Sequence, residues 1–134
     1  MSGSRSAAAE LVGNFYEYAS KHDFAGATAL FADDIEIQVF GPASIPFAGR
    51  YHGREAAVQF YSNVGRLLQV ERFEPLEFIA QGSRVVVIGR ERSVVRATNK
   101  TFDIGWVQVW TVAAQRIARL RGYFDTGTMA LAFT

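Results

Sequence analysis

The 134-residue chain reads as one α+β domain, and three observations predict that class. Three segments in its first half place apolar residues at helical spacing. From about Phe73 onward the apolar period changes to two, with only short turns between the runs, as neighbouring antiparallel strands require. Apolar residues also occupy both faces of those runs, so the sheet must be covered twice. Helices first and a meander afterwards is an α+β order.

Composition narrows the possibilities. About half the residues are apolar, with 11 Phe, 5 Tyr and 2 Trp, enough for a real core in a single domain. Net charge is +1, so no long-range field points to nucleic acid or to an acidic membrane. The arginines Arg84, Arg90, Arg92, Arg96, Arg119 and Arg121 gather on the meander, yet acids balance them and no base-stacking motif accompanies them. Cysteine is absent, which excludes disulfides, zinc ribbons and thiol nucleophiles. Only His22 and His52 could supply imidazole, and no spacing suggests a metal site. The start, MSGSRSAAAE, has no apolar core of secretory type, and no apolar run approaches a membrane span. A cytoplasmic protein without metal or cofactor is expected.

Ala8, Leu11, Val12, Phe15 and Ala19 mark a first helix over Ser6 to Lys21, capped by Ser6. Residues 1–5 before it are expected to be flexible. Asp23 can cap a second helix reaching Phe31, which Asp33-Asp34 ends. Ile35, Ile37 and Val39 then alternate with Glu36 and Gln38 as a short strand. Gly41 to Gly53, with two prolines and three glycines, is expected to be a loop. Its Ile45, Phe47 and Tyr51 make it apolar enough to cover something. A third helix runs from Arg54 to Leu68, with Ala57, Phe60, Tyr61, Val64 and Leu68 on one stripe. Strands follow at Phe73–Ala80, Arg84–Ala97, Thr101–Val112 and Arg116–Phe124, and residues 127–134 are expected to be a tail. Val85 and Val87 oppose Val86 and Ile88, and Trp106 and Trp110 oppose Val107 and Val109. Three helices cover one face only, so a homodimer through the other sheet face is expected.

The phrases LFADDIEIQVFGP, FAGRYHGREAAVQFY, RVVVIGRERS, WVQVWTV and LRGYFDT, in this order, resemble the SnoaL-like branch of the nuclear transport factor 2 (NTF2)-like superfamily. The likeness extends from about Ala8 to Thr126. It implies a cystatin-like cone, in which a curved sheet wraps a long helix around an internal pocket. Members include ketosteroid isomerases, polyketide cyclases, limonene-epoxide hydrolases, dehydratases and non-catalytic binding proteins, so the fold alone does not assign a function.

Matched residue by residue, the isomerase tyrosine falls on Phe15, its base on Val39 and its acid near Trp106. A slip of one residue would bring Tyr16 into play. In the epoxide hydrolase pattern Arg92 is retained. Its partner falls on Val94, the second acid on Gly122, and helper residues on Ile37 and Val39. Relatives often carry His where Gln108 stands and an acid where Gly122 stands, so groups that titrate near neutrality are missing.

The resemblance thus implies a pocket for a small, mostly apolar ring- or carbonyl-bearing molecule. It would be lined by Phe15, Tyr16, Ile37, Val39, Phe47, Phe60, Trp106, Trp110 and Gly122. Catalysis, if any, would be of isomerase, cyclase or dehydratase type. Gln108 would orient the ligand, Arg92 would act as electrostatic clamp, and His52 or Asp125 would carry the proton. Each has a plainer alternative: an ion pair for Arg92, a helix-entry loop for His52, capping or an interface contact for Asp125, and core packing for the aromatics. The rival function is a non-catalytic dimerisation or protein-interaction module.

Overall fold

The computed structural model describes residues 6–134, so the expectation for residues 1–5 lies outside the described residues. Helix α1 spans Ala7–Ser20, and the Ser6 side chain accepts from the Ala9 amide as expected of an N-cap. Its end is closed by two reverse bonds, from the His22 amide to the Ala19 carbonyl (3.0 Å) and from the Asp23 amide to the Tyr18 carbonyl (2.9 Å). That closure is the Schellman arrangement, and it forces His22 to φ 59°. Asp23 then caps α2, Phe24–Thr28, through the Gly26 amide.

The second helix is shorter than its apolar spacing suggests. Leu30 already accepts a backbone bond from Ile117, and Phe31 opens strand β1, Phe31–Val39. Asp33 and Asp34 therefore lie within β1, at the irregularity between Phe31 and Glu36, rather than ending a helix. The segment expected to be all loop contains β2, Gly49–His52, paired antiparallel with β1. Four residues are too few to display an alternation, and the pairing comes from β1. Helix α3, Arg54–Leu67, passes directly into β3, Leu68–Gln81, which begins five residues before the expected start.

Strands β4 (Arg84–Val95), β5 (Lys100–Ala113) and β6 (Arg116–Phe124) complete one six-stranded sheet of order β2-β1-β6-β5-β4-β3. All neighbours are antiparallel except β1 and β6, which run parallel. The chain's last residues, expected to be a tail, contain helix α4, Thr126–Ala132, with Met129 and Ala132 buried.

The register defines two faces. Val85, Val87, Gly89, Glu91, Ser93 and Val95 of β4 face inward with Phe102, Ile104, Trp106, Gln108 and Trp110 of β5. Helix α1 lies across this face and buries Val12, Phe15 and Tyr16 there. The outer face carries Val86, Ile88, Val107 and Val109, half-buried, among arginines. No helix among the described residues is long and apolar enough to cross a membrane.

Candidate functional site inside the curved sheet

The inner face is aromatic by construction, because alternate positions of β5 and the sheet-facing stripe of α1 deliver their rings to one volume. Phe15 lies 4.9 Å from Trp110 and 5.6 Å from Phe31, ring centre to ring centre. Tyr16 meets Trp110 edge-on at 5.7 Å and stacks near Trp106 at 6.2 Å. Phe73 stacks on the other ring system at 4.6 Å from Trp106. Such offset and edge contacts are each worth about 0.5–1.5 kcal/mol beyond burial.

Trp106 reaches its position because residue 89 has no side chain. A Cβ at Gly89 would stand 2.3 Å from the Trp106 ring and 2.3 Å from the Glu74 carbonyl. Glycine is required there by a close approach.

A three-membered hydrogen-bond chain crosses this interior. The Trp110 indole N–H donates to the Tyr16 hydroxyl at 2.9 Å, and that hydroxyl donates to Gln108 Oε1. An indole can only donate, so the single phenol proton is free for the Gln108 carbonyl oxygen, and this fixes which way the amide faces. Gln108 Nε2 is left with no partner among the described residues. Burial pushes the Tyr16 phenol well above the usual tyrosine range, partly offset by the Trp110 bond. Tyr16 is thus a fixed neutral donor and not a base.

Two further features accompany the chain. Trp106 is 4% exposed, and its indole Nε1–H is buried without a hydrogen-bond partner among the described residues. An orphaned buried donor costs about 1–3 kcal/mol. Gly122, paired with Gln108 on the adjacent strand, is buried, yet a Cβ built there would meet nothing within 4 Å. Open space therefore adjoins Gln108 on the inner side.

Of the residues expected to line a pocket, Phe15, Tyr16, Ile37, Val39, Phe47, Phe60, Trp106 and Trp110 are all buried in one core, and Gly122 is buried beside them. The four expected to act chemically separate. Gln108 faces the interior. Arg92 projects from the outer face, 3.0 Å from Glu71 and 3.8 Å from Asp103, because its strand phase is opposite to that of Val87 and Ser93. His52 is exposed on the edge strand β2, 3.6 Å from Glu36. Asp125 is the N-cap of α4, accepting from the Thr128 amide (3.1 Å) and hydroxyl (2.8 Å), and these bonds hold its carboxyl below the usual range.

Glu91 is the residue that sequence reasoning passed over. It has no place among the expected site residues, yet it points inward. Burial raises its pKa, and the Ser93 hydroxyl, donating at 2.7 Å, opposes that shift. Its signal was available: Glu91 shares the phase of Val85, Val87 and Val95, so a carboxylate occupies a core-facing position. No group of His, Cys, Asp or Glu among the described residues is arranged to hold a metal.

The SnoaL-like domain model matches residues 12–120. No curated protein matches the sequence. Among solved structures, an NTF2-like protein from Burkholderia xenovorans is 32% identical with a TM-score of 0.88, covering 98% of each chain. An NTF2-like protein from Burkholderia thailandensis is 26% identical with a TM-score of 0.88, covering 97% of this chain and 99% of that one. TerC, co-crystallised with polyporic acid, is 25% identical with a TM-score of 0.84, covering 96% and 98%. The domain match and the full-length likeness agree with the curved sheet wrapped on α1, and the chain belongs to the SnoaL-like family of the NTF2-like superfamily.

Proposed function

We propose that the protein binds a small, mostly apolar ring- or carbonyl-bearing molecule in the interior of the curved sheet. The observation that carries this reading is the open space over Gly122, beside a Gln108 amide whose N–H groups have no partner among the described residues. An apolar volume with a few fixed polar groups is the usual form of a small-molecule site. Gln108 and the orphaned Trp106 N–H would donate to a ligand oxygen, and the aromatic rings would bury its body. The polar groups beside Gly122, namely Gln108, the Tyr16 phenol and the Trp106 indole, are neutral, which favours recognition and orientation. Turnover, where it occurs, would be of the cofactor-free isomerase, cyclase or dehydratase type that relatives suggest. The co-crystallisation of TerC with polyporic acid is consistent with a small-molecule role for this fold.

The test uses acetophenone as probe and Gly122→Leu as the blocking variant. A leucine should fill the space without strain, so the unfolding midpoint stays level or rises. Acetophenone binding, followed by ligand-observed NMR, should be lost. Binding that survives the substitution in a folded variant would refute the site.

A second reading concerns the outer face. Leu76 and Ile79 are 58% and 55% exposed there, and Arg121 Nε is buried without a partner among the described residues. A shallow concavity of about 540 Å³ lined by Leu76, Ile88, Val107 and Tyr123 lies on the same side. These features support a homodimer through the sheet face, with or without a ligand site. Native mass spectrometry decides between dimer and monomer and reports any molecule retained.

A further inference from the structure

Resting on the interior binding site just described, the geometry points to a second, charged subsite within it. We propose that Glu91 anchors the ammonium group of an organic amine, whose apolar body lies against Phe73 and Trp106.

The inner face presents one carboxylate among rings and valines. Glu91 is paired across the sheet with Phe73 on β3 and with Ile104 on β5. The Trp106 row is the next inner-facing step along β5, about 7 Å away. The Phe73 ring, stacked on Trp106, is 39% exposed, so this end of the interior is reachable.

Glu91 has one hydrogen-bond partner among the described residues, the Ser93 hydroxyl. A carboxylate accepts at several more sites than that. No cation of the described chain lies within ion-pair distance of it. Its sequence neighbours Arg90 and Arg92 emerge on the opposite face, where Asp103 lies 2.9 Å from Arg90 and Glu71 lies 3.0 Å from Arg92. The chain thus pairs both nearby arginines elsewhere and leaves a mostly buried acid unneutralised. An uncompensated buried charge is costly, and a ligand cation removes that cost while gaining a charge-assisted hydrogen bond. The Phe73 ring, on the residue paired opposite Glu91 across the sheet, would add cation–π attraction. A neutral ligand would gain neither.

The test compares 2-phenylethylamine with 2-phenylethanol, which differ only in the charged group, by calorimetry at neutral pH. Wild-type protein should bind the amine on the order of tenfold more tightly than the alcohol. Glu91→Gln should abolish that preference while leaving alcohol affinity unchanged, with circular dichroism verifying the fold. Equal affinities in wild-type protein, no binding of either probe, or a preference that persists in Glu91→Gln would overturn the subsite. Acetophenone binding with Gly122→Leu sensitivity, but without an amine preference, would overturn the subsite alone and leave the interior site standing. Failure of the wild-type protein to bind acetophenone would instead refute the interior site.

Discussion

Trp110 and Tyr16, 94 residues apart in sequence, are joined by an indole-to-phenol hydrogen bond of 2.9 Å in the buried interior. It ties α1 to the C-terminal part of β5 and sets the direction in which Gln108 faces. Tyr16→Phe should leave the Trp110 N–H and the Gln108 carbonyl oxygen without their shared partner. The expected cost is about 1–3 kcal/mol, read as a lower urea midpoint, together with weaker acetophenone binding. An unchanged midpoint would mean that water replaces the hydroxyl at no cost.

Gly89→Ala tests the close approach beneath Trp106. The added methyl would meet both a ring and a backbone carbonyl at 2.3 Å, and the carbonyl has little freedom to retreat. Overpacking of this kind costs about 1–3 kcal/mol, occasionally more. Tryptophan fluorescence should shift as the ring is displaced. A variant as stable as wild type, with unshifted emission, would contradict the packing.

His22→Gly should act in the opposite direction. His22 closes α1 at φ 59°, in the left-handed region where a β-carbon is unfavourable. Glycine there should raise stability by about 0.5–1 kcal/mol, net of its greater freedom when unfolded. Thermal unfolding gives the sign directly.

Glu91 should make stability depend on pH in a particular sense. Its folded pKa is raised, so the native state holds the proton more tightly than the unfolded chain does. Stability contributed by this group therefore falls as pH rises from the ordinary glutamate value through the raised one. Glu91→Gln removes that slope. Relative to wild type, the variant should gain stability above this window and show no gain below it. Parallel urea titrations across the window are the measurement, and identical profiles would contradict the raised pKa.

Much of the fold was legible in the chain because its signals are local. The Ser6 cap, the stripe of α3 and the alternation of β4 to β6 each depend on neighbours in sequence. The parts misread depend on distant partners. Phe31 and Leu30 satisfy a helical pattern, but β6 recruits them into the sheet through Ile117. Strand β2 exists because β1 pairs with it.

The site divides the same way. Gln108 and the two tryptophans follow from one strand's phase, which the sequence displays. Arg92 and Glu91 are adjacent, so motif matching favoured the arginine, whereas strand phase sends it outward and the acid inward. The space over Gly122 depends on what the surrounding elements leave unfilled, and no local pattern encodes that.

The parallel pairing of β1 with β6 bears on how the molecule comes to be made. Ile37 lies opposite Leu120, so during synthesis helices α1 to α3 and β1 emerge long before the strand that completes them. Closing so long a loop is entropically costly and slows folding. Until β6 arrives, β1 presents one free edge and the apolar residues Ile35, Ile37 and Val39, a surface on which nascent chains aggregate or chaperones hold. The commitment step of folding would then come last, when Arg116–Phe124 inserts between β1 and β5.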